Sequence, residues 1–366
     1  MKKILLGICG IGYGHVNRQK LIINHLVEYD IDLVLAVTKK NYELFDGLYP
    51  SIKKVIVNRP WIVCDNRGID FTATKIKYSE FGFDQFDGFL DFSIEVEKAF
   101  NGEHPDFVLS DYEPYSAQFA YATNKPLICL DQQAKFLNLP TKKVNNFTIE
   151  DATGLLHYFF PKANKRYASS FFTIRSSGKY NIEAIPPVLK DIKRGLVDNS
   201  KVVVYFSPYT SNSDKYIKIL ELIKHYKNYE FHIYSELDFL NYHKYNNFHF
   251  KKIGEEFDSD LTDCKFIISS SGHQLISEAI NLEIPLYIFP LDTFDQNYCC
   301  YIVEKQKFGK RIKTNDQKEF DLFIESLEKY ITNMQNYKRT NWKSKWNEVL
   351  FEKLEKELNI MKKKIT

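Results

Sequence analysis

The stretch KILLGICGIGYGHVNRQKLI crowds Gly7, Gly10, Gly12 and Gly14 in front of a histidine, His15, and an arginine, Arg18. An apolar run enters the turn and a helix-like run leaves it near Val16, so the glycines sit where a strand passes into a helix. Such a turn lets backbone approach a ligand and offers free helix N–H groups to an anion. A tight turn with no ligand is the plainer alternative. The spacing Gly10-x-Gly12-x-Gly14 departs from the dinucleotide fingerprint, and Asp30 and Asp32 straddle a strand start instead of marking a ribose-binding acid. His15 suggests different chemistry: an imidazole at the mouth of the turn can take a proton from a substrate hydroxyl. Such a base needs a carboxylate to orient it. In PDFVLSDYEP, Asp111 closes an apolar run and falls at the carboxyl end of a strand, where open α/β sheets gather their ligands. Glu113 is the second candidate. A carboxylate there equally suits capping of the next helix, and Arg18 suits either a phosphate or the flank of its helix.

A second constellation lies in CKFIISSSGHQLISEAINLEIPLYIFPLDTFDQNYCC. A strand ends in Ser269-Ser270-Ser271-Gly272 and a helix starts near His273. Small residues there expose backbone N–H groups to a phosphate, and the serine hydroxyls can donate as well. His273 either meets that phosphate or packs. Glu278, six residues past Gly272 and near the start of the helix, can accept two hydroxyls of a ribose. After the next strand, Asp295 and Gln296 pair an acid with an amide, which suits the hydroxyls of a sugar.

Alternating strands and helices must position these groups. The runs KILLGIC, DLVLAVT, KKVIVN, PDFVLSD, PLICLD and FFTIRS are followed, past a polar stretch, by KVVVYFS, EFHIYSE, FHFKKIG, CKFIISS and PLYIFPL. Near-continuous apolar runs predict parallel strands covered on both faces, hence an α/β chain with doubly wound sheets. The pattern restarts at Lys201. It predicts a first domain over 1–185, a linker over 186–200, a second domain over 201–335 and a closing helix over 336–366. Trp342, Trp346, Val349, Leu350, Leu354 and Leu358 recur at helical spacing, and that stripe is expected to pack back on the first domain. The aromatic, acidic stretch 61–100 predicts a helix and a loop.

The chain has 366 residues and a net charge of +3, which does not suggest a nucleic-acid partner. Six cysteines without metal or disulfide spacing predict reduced core thiols and a cytoplasmic protein. No run approaches the length of a membrane span. The lysines of MKKKIT leave open a peripheral contact with the inner face of a membrane, against the plainer solvated tail.

The order strand–turn–helix, glutamate, strand, acid–glutamine resembles the nucleotide-sugar glycosyltransferases with two Rossmann-like domains facing across a cleft, the GT-B superfamily. It is similar to the cell-wall N-acetylglucosaminyltransferase and the UDP-glycosyltransferases. A bacterial and archaeal glycosyltransferase branch shares GYGHVNR and the pair SDYEP and PLICLDQQ. The likeness covers residues 1 to about 310. It implies a base at His15 backed by Asp111, with Gly12, Gly14, Arg18 and Glu113 on the acceptor side. It implies a donor site of Ser270, Ser271, Gly272, His273, Gln274, Glu278, Asp295 and Gln296. Where the cell-wall enzyme has a glycine-rich phosphate loop this chain reads SPYTSNS, so Ser207, Thr210 and Ser211 are the phosphate contacts expected there. The activity implied is inverting, metal-independent transfer of a sugar from a nucleotide-sugar, UDP-sugar foremost, to a glycan, lipid-linked or small-molecule hydroxyl. Cell-envelope glycan, glycolipid and natural products are the settings this implies, with the nucleotide-sugar as co-substrate and no further cofactor. Asp258-Ser259-Asp260 matches the metal-binding DxD of the other glycosyltransferase fold but precedes a short helical turn, where N-capping is expected. Two alternatives stay open: a non-catalytic nucleotide-sugar-binding partner, and a UDP-sugar 2-epimerase, whose usual cluster of carboxylates is not evident here.

Overall fold

The computed structural model describes residues 1–10, 13–58, 64–65, 68–69, 72–73, 76, 88–207, 213–252, 254–342 and 346–363. It divides into two compact units, Met1–Leu189 with Ser344–Thr366, and Lys190–Lys343.

The first unit is built on a seven-stranded parallel sheet. Its strands are β1 (Lys2–Ile8), β2 (Ile31–Thr38), β3 (Lys53–Val57), β4 (Phe107–Asp111), β5 (Leu127–Cys129), β6 (Lys165–Ser169) and β7 (Ile182–Ile185). They run in the order β7-β6-β5-β4-β1-β2-β3. The chain leaves β1 toward β2 and β3, then returns to lay β4 on the other side of β1, with Ile8 opposite Asp111. Between β1 and β4 the connections diverge, which opens a crevice at the carboxyl ends of the strands. The helices α1 (Tyr13–Leu26), α2 (Lys39–Leu48), α3 (Phe89–Ala99), α4 (Pro114–Ala122) and α5 (Ile149–Phe159) link these strands. Ile4, Leu6 and Ile8 join one core with Ile22 and Ile23 of α1, while Leu5 joins the other with Phe119 of α4. Alternate residues of β1 thus feed opposite cores, which is why the strand reads as an unbroken apolar run.

The second unit repeats the plan with six parallel strands: β8 (Lys201–Tyr205), β9 (Glu230–Tyr234), β10 (Phe248–Lys251), β11 (Phe266–Ser270), β12 (Leu286–Phe289) and β13 (Gly309–Arg311). The order is β10-β9-β8-β11-β12-β13, so its crevice opens between β8 and β11. Helices α6 (Ser213–Ile223), α7 (Glu255–Asp263), α8 (His273–Leu282), α9 (Phe294–Gln306), α10 (Gln317–Glu325) and α11 (Leu327–Asn341) complete it.

Three sequence expectations need correction. FFTIRS is not a strand. Phe171 and Phe172 are buried, but Ser170 Oγ accepts the Phe172 amide at 3.2 Å and bends the chain. The real strands there are β6 and β7; β6 is short and begins Lys165-Arg166, which hid it. The single closing helix is two helices. α11 ends at Asn341 with Trp342 as its C-cap, and α12 (Trp346–Leu358) belongs to the first unit, so Trp342 does not share the leucine stripe. Asp258 and Asp260 lie within α7, whose N-cap is Gly254, so neither caps it.

α12 seats Leu350, Leu354 and Leu358 in the core that holds α1. Its Phe351 ring stacks on His25 at 4.1 Å. Cys9, Cys129, Cys264, Cys299 and Cys300 are buried and unbridged. Among the described residues no helix is long and apolar enough to cross a membrane. Since Leu354 is fully buried, Leu354→Ala should cost about 2–5 kcal/mol. The expected result is a lower urea midpoint, whereas Leu322→Ala, on an exposed side chain, should leave that midpoint unchanged within error.

Candidate functional site

β4 ends at Asp111, and Tyr112 then takes a left-handed conformation with φ 55°. That strained turn is held from both sides. Ser110 Oγ donates to Glu113 O at 2.8 Å and accepts the Glu113 amide at 3.1 Å, and the Tyr112 ring stacks on Phe160 at 5.5 Å. Its effect is to separate two carboxylates. Glu113 turns into the N-cap of α4, accepting the amides of Tyr115 at 2.9 Å and Ser116 at 2.6 Å. Burial pushes its carboxyl up to about 7 against those bonds. The capping role considered for Asp111 is therefore filled by Glu113, whose side chain is spent on the helix.

Asp111 is fully buried and faces α1. Arg18, 1% exposed, donates from Nη2 to Asp111 Oδ1, and the same nitrogen lies 3.1 Å from His15 Nδ1. Asp111 Oδ2 has no aligned hydrogen bond and stands 3.0 Å from His15 Nδ1. Arg18 is thus the buried counter-ion of Asp111 and not an exposed flank of its helix. His15 and Arg18 are three apart on α1, a spacing that puts two side chains on one helix face, and that signal was present in the sequence. Burial disfavours the charged imidazole of His15, but Asp111 first, and Cys9 with it, reverse this and push it up to about 10. Burial likewise works against the Asp111 carboxylate, yet Arg18 and His15 hold it below the usual range. The His15 side chain is 13% exposed while Asp111 is 0%, so the imidazole is the more accessible of the two.

The glycines before His15 divide. A Cβ on Gly7 would stand 2.1 Å from Ser116 Oγ, and one on Gly10 would stand 2.3 Å from Thr38 Cγ2. Both are demanded by packing and not by a ligand. Gly14 lies in the first turn of α1, which starts at Tyr13, ahead of the expected Val16. Gly12 lies outside the described residues.

In the second unit β11 ends at Ser270 and α8 starts at His273, with Gly272 as N-cap and no capping side chain. Gly272 has φ −67° and ψ 130°, which any residue adopts, and a Cβ there would meet nothing within 4 Å. The protein itself does not require glycine at this position; what glycine provides is open space over a helix N-terminus. Ser271 Oγ donates to Gln296 O at 2.8 Å, tying the turn to α9. The Gln296 side-chain carbonyl accepts the Leu291 amide at 3.2 Å, so its amide –NH2 is the group left to donate. Asp295 accepts from Thr293 Oγ1. Glu278 is 6% exposed, and Gln274 Nε2 donates to it at 3.1 Å. Burial, only partly offset by Gln274 and Lys190, pushes its carboxyl up to about 7. His273 is buried at the first position of α8, and Ser207 lies buried just beyond β8. Thr210 and Ser211 lie outside the described residues.

The DxD pair is occupied. Asp258 accepts from Lys190 Nζ at 2.7 Å and 2.6 Å, and Asp260 accepts from Tyr234, Lys251 and Lys201 and meets His232 Nδ1 at 2.6 Å. Among the described residues no group of three or more His, Cys, Asp and Glu side chains forms a metal cluster.

A family model described as Glycosyl transferase family 1 matches residues 2–328. No curated protein matches. Among solved structures the chain is similar to Arabidopsis thaliana UGT89C1, at 13% identity over 97% of this chain and 99% of that one, TM-score 0.66. That protein has also been solved with UDP, with UDP-L-rhamnose and with quercetin. CalG4, the calicheamicin glycosyltransferase, is similar at 13% identity over 98% of both chains, TM-score 0.65. A UDP-glucosyltransferase from Polygonum tinctorium capable of glucosylating indoxyl is similar at 11% identity over 98% of both chains, TM-score 0.68. At these identities the likeness is one of fold, the GT-B architecture of two Rossmann-like units.

Two titrations follow from the site. In a proton NMR titration His15 should titrate well above its ordinary 6.5. Asp111→Asn should bring it back toward that value, because burial is then opposed by Cys9 alone; an unmoved midpoint would place Asp111 outside its control. For Glu278 the folded-state value, about 7, lies above the ordinary 4.5. Its linkage is therefore favourable to folding below 4.5 and lost as pH rises through 7. Glu278→Gln should accordingly raise the thermal midpoint at pH 8 and converge on the wild type below about pH 4.5.

Proposed function

Since the chain belongs to glycosyl transferase family 1, and is a glycosyltransferase, we propose that it moves a sugar from a UDP-sugar to an acceptor hydroxyl with inversion and without a metal ion. The observation that carries this reading is the buried Asp111 carboxylate standing 3.0 Å from Nδ1 of His15 at the switch point of the first sheet.

With Nδ1 turned to Asp111, the nitrogen left for substrate is Nε2. The acceptor hydroxyl gives its proton to Nε2 as its oxygen bonds to the anomeric carbon. The bond from that carbon to the leaving diphosphate breaks on the opposite face, and the electron pair departs with UDP. The resulting imidazolium is the form that Asp111 stabilises. Arg18 keeps Asp111 ionised and fixed, so the carboxylate neither takes the proton itself nor swings away. The proton must be absent from Nε2 beforehand, and the elevated affinity of His15 for protons means that the rate should rise with pH through the neutral range.

The second unit supplies the donor site in this reading. The N-terminus of α8, whose N-cap is Gly272, carries partial positive charge and receives the diphosphate over Gly272, where negative charge grows during transfer. Ser270, Ser271, His273 and Ser207 border that turn. Glu278 accepts the ribose hydroxyls, Asp295 accepts from the sugar and the Gln296 –NH2 donates to it. Burying the Glu278 carboxylate costs stability in the empty protein, and the ribose hydroxyls would supply the donors that ionisation needs.

Three measurements test this. His15→Ala should lower transfer about 100- to 10,000-fold while UDP affinity by calorimetry stays within twofold; transfer at near wild-type rate would reduce His15 to a turn residue. Glu278→Gln should weaken UDP itself, whereas Gln296→Ala should weaken UDP-sugar far more than UDP. Activity should persist in EDTA, and the first-formed anomer seen by NMR should have the opposite configuration to the donor. A strict manganese requirement, or retention, contradicts the mechanism.

A further inference from the structure

Asp131 and Gln133 have no task in the transfer just described, yet they sit at the same edge of the first sheet. β5 stops at Cys129, Leu130 N still donates to Ser110 O at 2.8 Å, and the chain then turns into a short 3-10 helix, Gln133–Asn138. Asp131 starts that turn by accepting the Ala134 amide at Oδ1, 2.7 Å away. Its Oδ2 has no hydrogen-bond partner although the residue is 0% exposed, and Gln133 Oε1 is likewise buried and unpartnered. Buried acceptors without donors cost about 1–3 kcal/mol each and are few in native chains, so two within one turn call for an explanation. Their location supplies one. β4 and β5 are neighbours, with Ser110 opposite Cys129, and adjacent strands lie about 4.8 Å apart. Asp131 therefore stands one strand along from Asp111, on the side of β4 away from β1, within electrostatic reach of Arg166, Asp111 and Arg18. Arg18 Nε, also buried, has no acceptor of its own.

We propose that Asp131 and Gln133 form the acceptor subsite, accepting hydrogen bonds from hydroxyls that neighbour the one deprotonated at His15. This rests on the reading of His15 as the base. Two further acceptor oxygens on the same sheet end select a ring that carries several hydroxyls, a sugar, over an acceptor with a single one. A site of this kind rejects an analogue lacking the hydroxyl, because its buried oxygens are then left unpaired.

The full chain is assayed with UDP-glucose, UDP-galactose and UDP-N-acetylglucosamine against methyl hexosides, their monodeoxy analogues and 4-nitrophenol. At least one methyl hexoside should be extended, with one of its monodeoxy analogues reduced tenfold or more in kcat/KM. Asp131→Asn still offers an oxygen to the Ala134 amide. It should raise KM for that hexoside tenfold or more, narrow the gap to the deoxy analogue to within about twofold, and leave the UDP Kd unchanged. If Asp131→Asn does not fold, Gln133→Leu takes its place with the same expected rise in KM. Use of 4-nitrophenol alone, extension of no hexoside, or an unchanged KM in the variant would overturn the subsite and mark both residues as buried structure. UDP binding by the wild type separates the two readings: UDP bound with no hexoside extended sinks only the subsite, and no UDP bound sinks the donor site as well.

Discussion

The first unit's chemistry depends on one ion pair that water does not reach, Arg18 with Asp111. Such a pair is not a stability device. Desolvating both charges roughly cancels their attraction, while removing either partner leaves the other buried and uncompensated, which costs about 3–5 kcal/mol. What the pair supplies is position. Arg18 fixes one carboxylate oxygen, which leaves the other directed at His15, and the imidazole then has one nitrogen committed and one available. The cost of burial is met by the helix and strand that the pair joins, α1 and β4, both anchored in the same apolar core.

Around that pair the fold is arranged to keep carboxylates from doing each other's work. The chain from Asp111 to Glu113 holds two acids in three residues. The positive φ of Tyr112, in a backbone region costing roughly 1–3 kcal/mol for residues other than glycine, sends one to the helix cap and one to the histidine. Without that turn the two acids would compete for the α4 amides. In the second unit Glu278 bears a comparable burden: it is buried on an almost wholly buried helix with a single side-chain donor, Gln274. Burial thus works against the Glu278 carboxylate, whereas His15 and Asp111 favour each other's charged form.

Much of this was legible in the sequence. Unbroken apolar strands and their alternation with helices reveal the two parallel sheets, and the strand-end location of Asp111 and of Ser270 follows from the same pattern. Less was legible where tertiary contacts override local signal. β6 was invisible because Arg166 is buried for its bonds to Tyr180 O and Phe160 O, which breaks the apolar run. FFTIRS looked like a strand because burial and strand character coincide in composition but not in backbone. The break between α11 and α12 was masked by two tryptophans that happen to continue the leucine spacing. The role of Arg18 was within reach through its three-residue spacing from His15; the pairing needed the fold to bring Asp111, 93 residues away, against the same helix face.

The glycines show why composition alone misleads about a site. Gly7 and Gly10 look like ligand-binding glycines, yet each is required by a protein side chain that would collide with a Cβ. Gly272 is the reverse case: nothing in the protein crowds it and its backbone angles are ordinary. A glycine that the fold does not need, itself the N-cap of a helix, leaves open space at that helix's first turn. Asp131 is an acid with one oxygen used and one buried without a partner. Asp131 follows β5, one strand removed from the first sheet's switch point, whereas Gly272 follows β11, at the carboxyl end of a strand flanking the second's. That is where the topology, independently of any side chain, opens the sheet to a ligand.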